Sequence, residues 1–393
     1  MSSVAAPALA GGPPVRTAPL PYGRHDLDDA DVEAVVSALK SGVLTGGSEI
    51  ADFEAALAER CGVGHAVVLS SGTAALHLAL AGVGVAAGDQ VVTTPLTFVA
   101  TANAAIYLGG RPVFADIGSD RCLDPASVAG SLTDRTKAIV AVDYAGLPAD
   151  ADGLRTAAPG VPLVIDAAHS LGGVSNNRPV GSLGDVTTLS FHPVKHVTTG
   201  EGGACLTDRA DVAARIRRLR NHGMTSEASG RAGREWRYDV VELGNNYRMT
   251  DFQAALGRSQ LRHLDSRVAR RQELALRYDR LLAGMPGIAL PPRAAGRQSA
   301  WHIYSAEVRA DQFGWSRDEV IDGLRAEGIQ ATLHYPAVHR LALYRDMGYE
   351  AGVAPVAEAL CERLVTLPMF SGMMDSDQDD VVEALRRLNS WRR

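Results

Sequence analysis

Four short segments of this 393-residue chain place reactive side chains beside turns that follow β-branched runs. In Ser190-Phe-His-Pro-Val-Lys-His196, Lys195 lies between such a run and the turn Thr198-Thr-Gly-Glu-Gly-Gly203. Surface solvation explains a lysine in that setting poorly, whereas an amine used as a nucleophile fits it. Asp166 closes the apolar run Val164-Ile-Asp166, 29 residues before Lys195, with one strand unit between them. A carboxylate there can hold a cationic ring nitrogen, or it can cap the next helix. Ser70-Ser-Gly-Thr-Ala-Ala75 follows a strand and opens a helix, where free N–H groups and hydroxyls can cradle a phosphate or form an ordinary cap. Taken together, an amine, an acid and a phosphate cup are what pyridoxal 5'-phosphate requires. The competing reading is a nucleotide-binding α/β domain with unrelated loops. No GxGxxG follows the first strand, however, and no GxxxxGK[ST] occurs.

Short β-branched runs occur at Ala66–Leu69, Gln90–Thr94, Pro112–Ile117, Ala138–Val142, Leu163–Ile165 and Val186–Phe191. Helical patterns fall between most of them, at Thr73–Ala81, Thr97–Leu108 and Pro125–Leu132. Runs that are apolar throughout, such as Ala138-Ile-Val-Ala-Val142, read as strands covered on both faces. The alternation predicts a mostly parallel α/β sheet of six or seven strands with helices on both faces. Upstream, Asp26, Asp28 and Asp29 start a helix carrying Val32, Val35, Val36 and Leu39 on one face, and Gly42 ends it. Downstream, a long helix is expected from Thr250 to about Leu282 and a strand at Trp301–Val308. A helix opened by the capping pair Ser316 and Glu319 follows, then a strand at Ile329–His334 and a last helix from Asp377 to the end. The domains expected are a flexible Ala/Gly/Pro-rich arm (1–21), a large domain (22–270) and a small α+β domain (271–393) whose start is carried by the long helix.

Lys and Arg total 39 against 45 Asp and Glu, a net charge of −6, which gives no electrostatic reason to expect nucleic acid as a partner. Cys61, Cys122, Cys205 and Cys361 form no CxxC pair, so neither a disulfide framework nor a zinc ribbon is indicated. The first fifteen residues hold no Lys and lack an apolar core of signal-peptide length, and no stretch reads as membrane-spanning, so a soluble cytoplasmic protein is expected. Gly, at 40 residues, exceeds the roughly 28 that average usage would give. Gly72, Gly172, Gly173, Gly200, Gly202 and Gly203 fall on the loops proposed to surround the cofactor.

The segments SSGTAALHLAL, TTPLTFVATANA, DAAHSLGG, SFHPVKHVTTGEGG and NYRMTDFQAALG closely resemble the DegT/StrS-type nucleotide-sugar aminotransferases, which are fold-type-I pyridoxal phosphate enzymes. With LHYPAVH and TLPMFSGM the resemblance runs from about Tyr22 to the C-terminus. Within the family, the chain looks most similar to the branch that aminates C4 of a UDP-4-keto-6-deoxy-N-acetylhexosamine. The resemblance implies that Lys195 carries the Schiff base and later moves the substrate proton. It implies that Asp166 holds the pyridinium, that Gly72, Thr73 and Ser190 bind the phosphate, that Phe98 stacks on the ring, and that His169 faces its 3-oxygen side. His192, Arg248, His334 and Tyr335 are implied substrate contacts. Asn246, matched to the family's phosphate-binding Asn, and Arg248 belong to a segment that in the family reaches the neighbouring subunit's site, so a homodimer with shared active sites is expected. Asn245 stands where the family commonly has Tyr.

The activity expected is a ping-pong transfer of an amino group, by family habit from L-glutamate, to the C4 carbonyl of a nucleotide-linked sugar. The enzyme alternates between pyridoxal and pyridoxamine phosphate. Relatives that aminate C3-keto sugars or keto-cyclitols for antibiotics form a second reading, and the GGPPVR opening is faintly similar to theirs. A third, a regulatory homologue without catalysis, is opposed by the presence of Lys195 and Asp166. His192 and His196 are spaced like a metal pair but lack an acidic partner, so no metal is expected. Arg215–Arg220 reads as a solvated helix face, and His334, Tyr335 and His339 suit either a diphosphate contact or a domain interface.

Overall fold

A computed structural model describes residues 6–225 and 238–391. The first helix, α1 (Asp29–Lys40), is opened by a reciprocal cap: the Asp31 N–H donates to Asp28 and the Asp28 N–H donates to Asp31. The helix α2 (Ser48–Cys61), which the sequence reading did not single out, follows. The chain then alternates through β1 (His65–Leu69), α3 (Gly72–Gly82), β2 (Gln90–Thr93), α4 (Ala100–Tyr107), β3 (Arg111–Phe114), α5 (Pro125–Ser131), β4 (Thr136–Val142), α6 (Ala151–Ala157) and β5 (Leu163–Asp166). The two-residue strands β6 (Val174–Ser175) and β7 (Arg178–Pro179) precede β8 (Val186–Ser190) and β9 (Gly203–Thr207).

Seven strands form the main sheet in the order β1-β9-β8-β5-β4-β2-β3. All pairs from β8 to β3 are parallel, and β9 runs antiparallel to both β8 and β1. The six runs named from sequence are all strands of this sheet. The seventh, β9, is short and starts inside the glycine-rich turn, so it reads locally as loop. Alternate residues of one strand enter different cores: Val67 and Leu69 pack with α3 and α7 (Ala210–Arg220), while Ala66 and Val68 pack with Phe53 and Leu57 of α2. Covering on both faces is why the central strands are apolar throughout.

Helix α8 (Asp251–Leu261) and helix α9 (Leu264–Leu282) divide the single helix expected over 250–282. The last turn of α8 tightens into three-residue hydrogen bonds at Arg262 and His263, which breaks the rod. Leu264 and Val268 of α9 belong to the core around the main sheet, whereas Leu274, Tyr278 and Leu282 belong to the C-terminal core.

That second core is built on β10 (Ile288–Ala289), β12 (Tyr304–Val308) and β13 (Leu364–Leu367), paired in the order β10-β12-β13. The intervening β11 (Arg297–Gln298) pairs with β6 instead. Helices α10 (Ala310–Phe313), α11 (Arg317–Ala326), α12 (Ala342–Asp346), α13 (Pro355–Cys361) and α14 (Asp375–Ser390) complete this half. The strand expected at Ile329–His334 is absent: an Ala331 N–H donating to the Ile329 carbonyl (2.8 Å) turns the backbone, and only isolated pairs with Leu20 and Thr366 remain.

The flexible arm expected over 1–21 is also corrected from Ala6 onward. Residues 8 and 15 donate backbone N–H groups to the fully buried Glu327 (2.7 and 2.8 Å), Arg16 pairs with Asp377 and Asp380, and Leu20 is buried. The first five residues of the arm lie outside the described residues. The four cysteines are free and buried, and among the described residues no helix is long and apolar enough to cross a membrane.

Candidate active site

The ends of β5 and β8, the loop after β2 and the N-terminus of α3 converge on a cavity of about 400 Å³, closed from the other side by residues of the C-terminal half. Gly72, Thr73, Phe98, Asp166, His169, Ser190, His192, Lys195, His334 and Tyr335 all line it. Ten of the twelve site residues expected from sequence therefore meet in one place. The other two, Asn246 and Arg248, are exposed outside the cavity, where Arg248 donates to the Asn221 side chain. Of the six glycines assigned to cofactor loops, only Gly72 lines the cavity. Gly203 instead lets β9 pass close to Ser71, whose carbonyl would lie 2.4 Å from an added Cβ, and Gly172 packs against Val268.

Asp166 is the last residue of β5 and is buried. Its Oδ2 accepts the Thr101 hydroxyl hydrogen (2.7 Å) and its Oδ1 accepts the Ala168 N–H (3.2 Å). Burial raises its pKa, and these donors and Lys195 pull it back. Lys195 sits on the loop after β8, where its N–H donates to the His192 carbonyl. Burial lowers the amine from 10.5 to about 8, with Asp166 opposing and Arg271 assisting. Among the described residues, the neighbour within hydrogen-bond range of its Nζ is His302 Nε2, at 3.4 Å.

Imidazoles surround the amine. His169 lies tilted at 4.4 Å against His302 and has the Tyr335 hydroxyl at its Nε2 (3.1 Å), and among the described residues its buried Nδ1 has no partner. Burial holds His169 and His302 well below the usual imidazole range, with Lys195 adding to it, so both are neutral at pH 7. His196 does not face the cavity; its Nε2 pairs with the Ala300 carbonyl at 2.8 Å.

At the cup, the Ser71 hydroxyl caps α3 by accepting the Ala74 N–H (3.1 Å), and Ser71, Gly72 and Thr73 at the start of the helix line the cavity with Ser190, where first-turn N–H groups have no intrahelical acceptor. A Cβ at Gly72 would lie 2.9 Å from the Ser190 Cβ and 3.2 Å from its hydroxyl oxygen. Any side chain at 72 would fill the cup. An open, hydroxyl-lined helix start, a buried acid, a lowered amine and an unpartnered imidazole nitrogen fit pyridoxal phosphate.

Sequence reasoning missed Thr101, His302, Arg271 and Tyr22. Thr101 had a weak local signal, the spacing Thr97-x-x-x-Thr101 at a helix start, and the two hydroxyls do meet at 2.7 Å. His302, inside the strand-like Trp-His-Ile-Tyr, had none.

Residues 25–386 match the DegT/DnrJ/EryC1/StrS aminotransferase family. The chain is 38% identical over 374 residues to the spore coat polysaccharide biosynthesis protein SpsC of Bacillus subtilis, covering 93% of this chain and 96% of that protein. Among solved structures it is similar to the sugar aminotransferase Spr1654 of Streptococcus pneumoniae in its PMP form, with a TM-score of 0.87, 30% identity and coverage of 95% and 98%. The same protein has been solved in a PLP form. DesI in the presence of its TDP-sugar product gives a TM-score of 0.88 and 35% identity, covering 97% of this chain and 95% of DesI.

Proposed function

The chain belongs to the DegT/DnrJ/EryC1/StrS aminotransferase family, and from that premise we propose that it moves an amino group from L-glutamate to the C4 carbonyl of a nucleotide-linked 4-keto-6-deoxy sugar. The reading of a sugar as acceptor is supported by Spr1654 and DesI, and that of C4 by the resemblance of the segments quoted above. The observation that carries the activity is the convergence of Lys195, Asp166 and the Gly72–Ser190 cup on one cavity.

Pyridoxal phosphate is the family's cofactor; when bound, its pyridinium withdraws electrons from the substrate carbon and its aldehyde carbon carries the amino group between the two substrates. Asp166 would hold the ring nitrogen, with the Thr101 hydroxyl fixing the carboxylate so that one oxygen stays turned to the ring. The α3 N–H groups, Thr73 and Ser190 would hold the phosphate, and Phe98 and His169 would bracket the ring. Lys195 would hold the cofactor in the resting enzyme. Once freed, it would move a proton at the substrate carbon, a task for which an amine near pH 8 is well matched.

The homodimer enters here as part of the reading. Asn246 and Arg248 lie outside the cavity of their own chain, so serving a site requires a second copy. The chain also exposes Val32, Val36 and Leu39 on α1 together with Leu243.

The test loads the enzyme with pyridoxamine phosphate and offers UDP- and dTDP-linked 4-keto-6-deoxy sugars, 3-keto sugars and a keto-cyclitol. Pyridoxal absorbance should return, with a 4-amino sugar formed, for a 4-keto sugar nucleotide. Turnover of the cyclitol alone would overturn the substrate reading. Borohydride should fix the cofactor on Lys195, and Lys195→Ala should abolish both fixation and turnover; retained turnover would overturn the catalytic assignment.

A further inference from the structure

Beside the cavity, and sharing Lys195 with it, lies a small crevice whose lining includes His196, Arg267, Arg271 and Asp26. Arg271, on α9, is buried, and its Nη1 donates to three main-chain carbonyls: Trp301 (3.2 Å), His302 (2.9 Å) and Met369 (3.1 Å). Among the described residues no carboxylate lies within ion-pair range of it, and its Nε–H has no partner. Buried guanidinium groups are ordinarily paired with an acid. This one is spent on a stretch of backbone.

That stretch is unusual. Trp301 has a positive φ of 52°, which a bulky side chain adopts only when its surroundings enforce it. On the other flank the Ala300 N–H donates to the Gly146 carbonyl (2.9 Å) and the His302 N–H to the Ala145 carbonyl (3.0 Å). A Cβ at Gly146 would stand 2.7 Å from the Trp301 nitrogen and 2.9 Å from the His302 nitrogen. Residues 300–302 are thus clamped between the loop after β4 and the Arg271 guanidinium. His302, next along the chain, brings its Nε2 to the Lys195 amine.

We infer that Arg271 is a positioning residue for Lys195: it clamps the backbone of Trp301 and His302 so that the His302 ring meets the amine, and it sets an unneutralised cation near that amine. The inference rests on the reading of Lys195 as the reactive lysine.

The groups that face the amine decide its sign. Asp166 is the carboxylate that favours the charged form, and Arg271 opposes it from α9; Arg267 on the same helix has the crevice-lining Asp26 at 4.0 Å. The imidazoles His169, His196, His302 and His334 are held neutral by burial, so they supply dipoles rather than charge. His192, at the mouth, faces Glu201 as well as Lys195. Arg271 is therefore the fixed cation balancing Asp166, and it keeps the amine able to accept a proton.

The test uses the cofactor-free protein. Lys195 is one of three lysines, and the other two, Lys40 and Lys137, are exposed and serve as internal references. Acylation by a limiting amount of acetic anhydride at a series of pH values, read by peptide mass spectrometry, gives a midpoint for each amine. Arg271→Gln removes the charge and leaves one amide donor on a shorter side chain; it should raise the Lys195 midpoint by about one pH unit, roughly a tenfold loss of reactivity at neutral pH. Arg271→Lys keeps the charge and should leave the midpoint within about a third of a unit. An unchanged midpoint in a folded Arg271→Gln protein, or a rise of a full unit in Arg271→Lys, would overturn the inference. If Arg271→Gln does not fold, Arg271→Met, which likewise removes the charge but fills the space with an apolar chain, takes its place with the same expected rise and the same overturning result. Failure of borohydride to fix the cofactor on wild-type Lys195 would overturn the functional reading instead, because the acylation series contains no cofactor.

Discussion

Burial of the Lys195 amine carries a stability cost beside the role proposed for it. In the unfolded chain its amine keeps a proton up to the ordinary value of 10.5, and in the fold it releases that proton near 8. Between those values the unfolded state binds more protons, so the term destabilises the cofactor-free protein most below pH 8 and fades as pH rises toward 10.5. Lys195→Met removes it. The variant should be more stable than the wild type in urea at neutral pH, and the gap should shrink steadily as pH approaches 10.5. Asp166 loses a cationic neighbour in this variant, but a carboxylate contributes a flat offset in the alkaline window, so the slope reports the lysine. A gap that does not change with pH would contradict the account. Lys195 and Asp166 stood out in the sequence because Asp166 ends an apolar run and Lys195 lies between such a run and a glycine-rich turn, local and chemically odd settings for charged side chains. His302 and Arg271 did not, and Thr101 only through its spacing from Thr97, because what makes them matter is approach across the fold. The contact between Lys195 and His302 joins residues 107 apart.

At the scale of elements, the strand–helix alternation was readable because both-face burial leaves uninterrupted apolar runs. What escaped were pieces whose conformation depends on a partner. The strand β9 exists because β1 and β8 flank it, and the kink between α8 and α9 lies in a run with good helical periodicity throughout. The N-terminal strap is the clearest case. Its Ala/Gly/Pro composition describes a chain that cannot hold itself, and what holds it is Glu327, 0% exposed, which also lies 3.5 Å from Arg387. Glu327→Gln places a donor amide where two backbone N–H groups and a guanidinium converge. Leaving buried donors unsatisfied costs about 1–3 kcal/mol. Urea unfolding should show a loss of that order, and limited proteolysis should cut residues 6–21 sooner than in the wild type. Equal stability and equal cleavage would mean that the arm is as loose as its composition suggests.

The whole molecule raises a question of stoichiometry that no single chain answers. Arg248 is exposed and held by Asn221, and Leu243 nearby is 96% exposed, a poor state for an apolar side chain in a finished surface. A closed dimer in which each cavity borrows Arg248 from the other copy accounts for both features. It also makes a quantitative prediction. Alone, Lys195→Ala should be inactive and Arg248→Ala should lose most of its turnover. When the two are unfolded, mixed in equal amounts and refolded, half the dimers are hybrids, and each hybrid has one intact site and one doubly defective site. Recovered turnover should approach ~25% of the wild type. If each site were built within one chain, no hybrid would contain an intact site and mixing would recover nothing. Sedimentation of the mixture fixes the fraction of dimers. Leu243→Asp, which places a charge on the most exposed apolar side chain of this segment, should lower both that fraction and the recovered turnover together. A drop in turnover with the dimer fraction unchanged would place Leu243 at the substrate rather than at the interface.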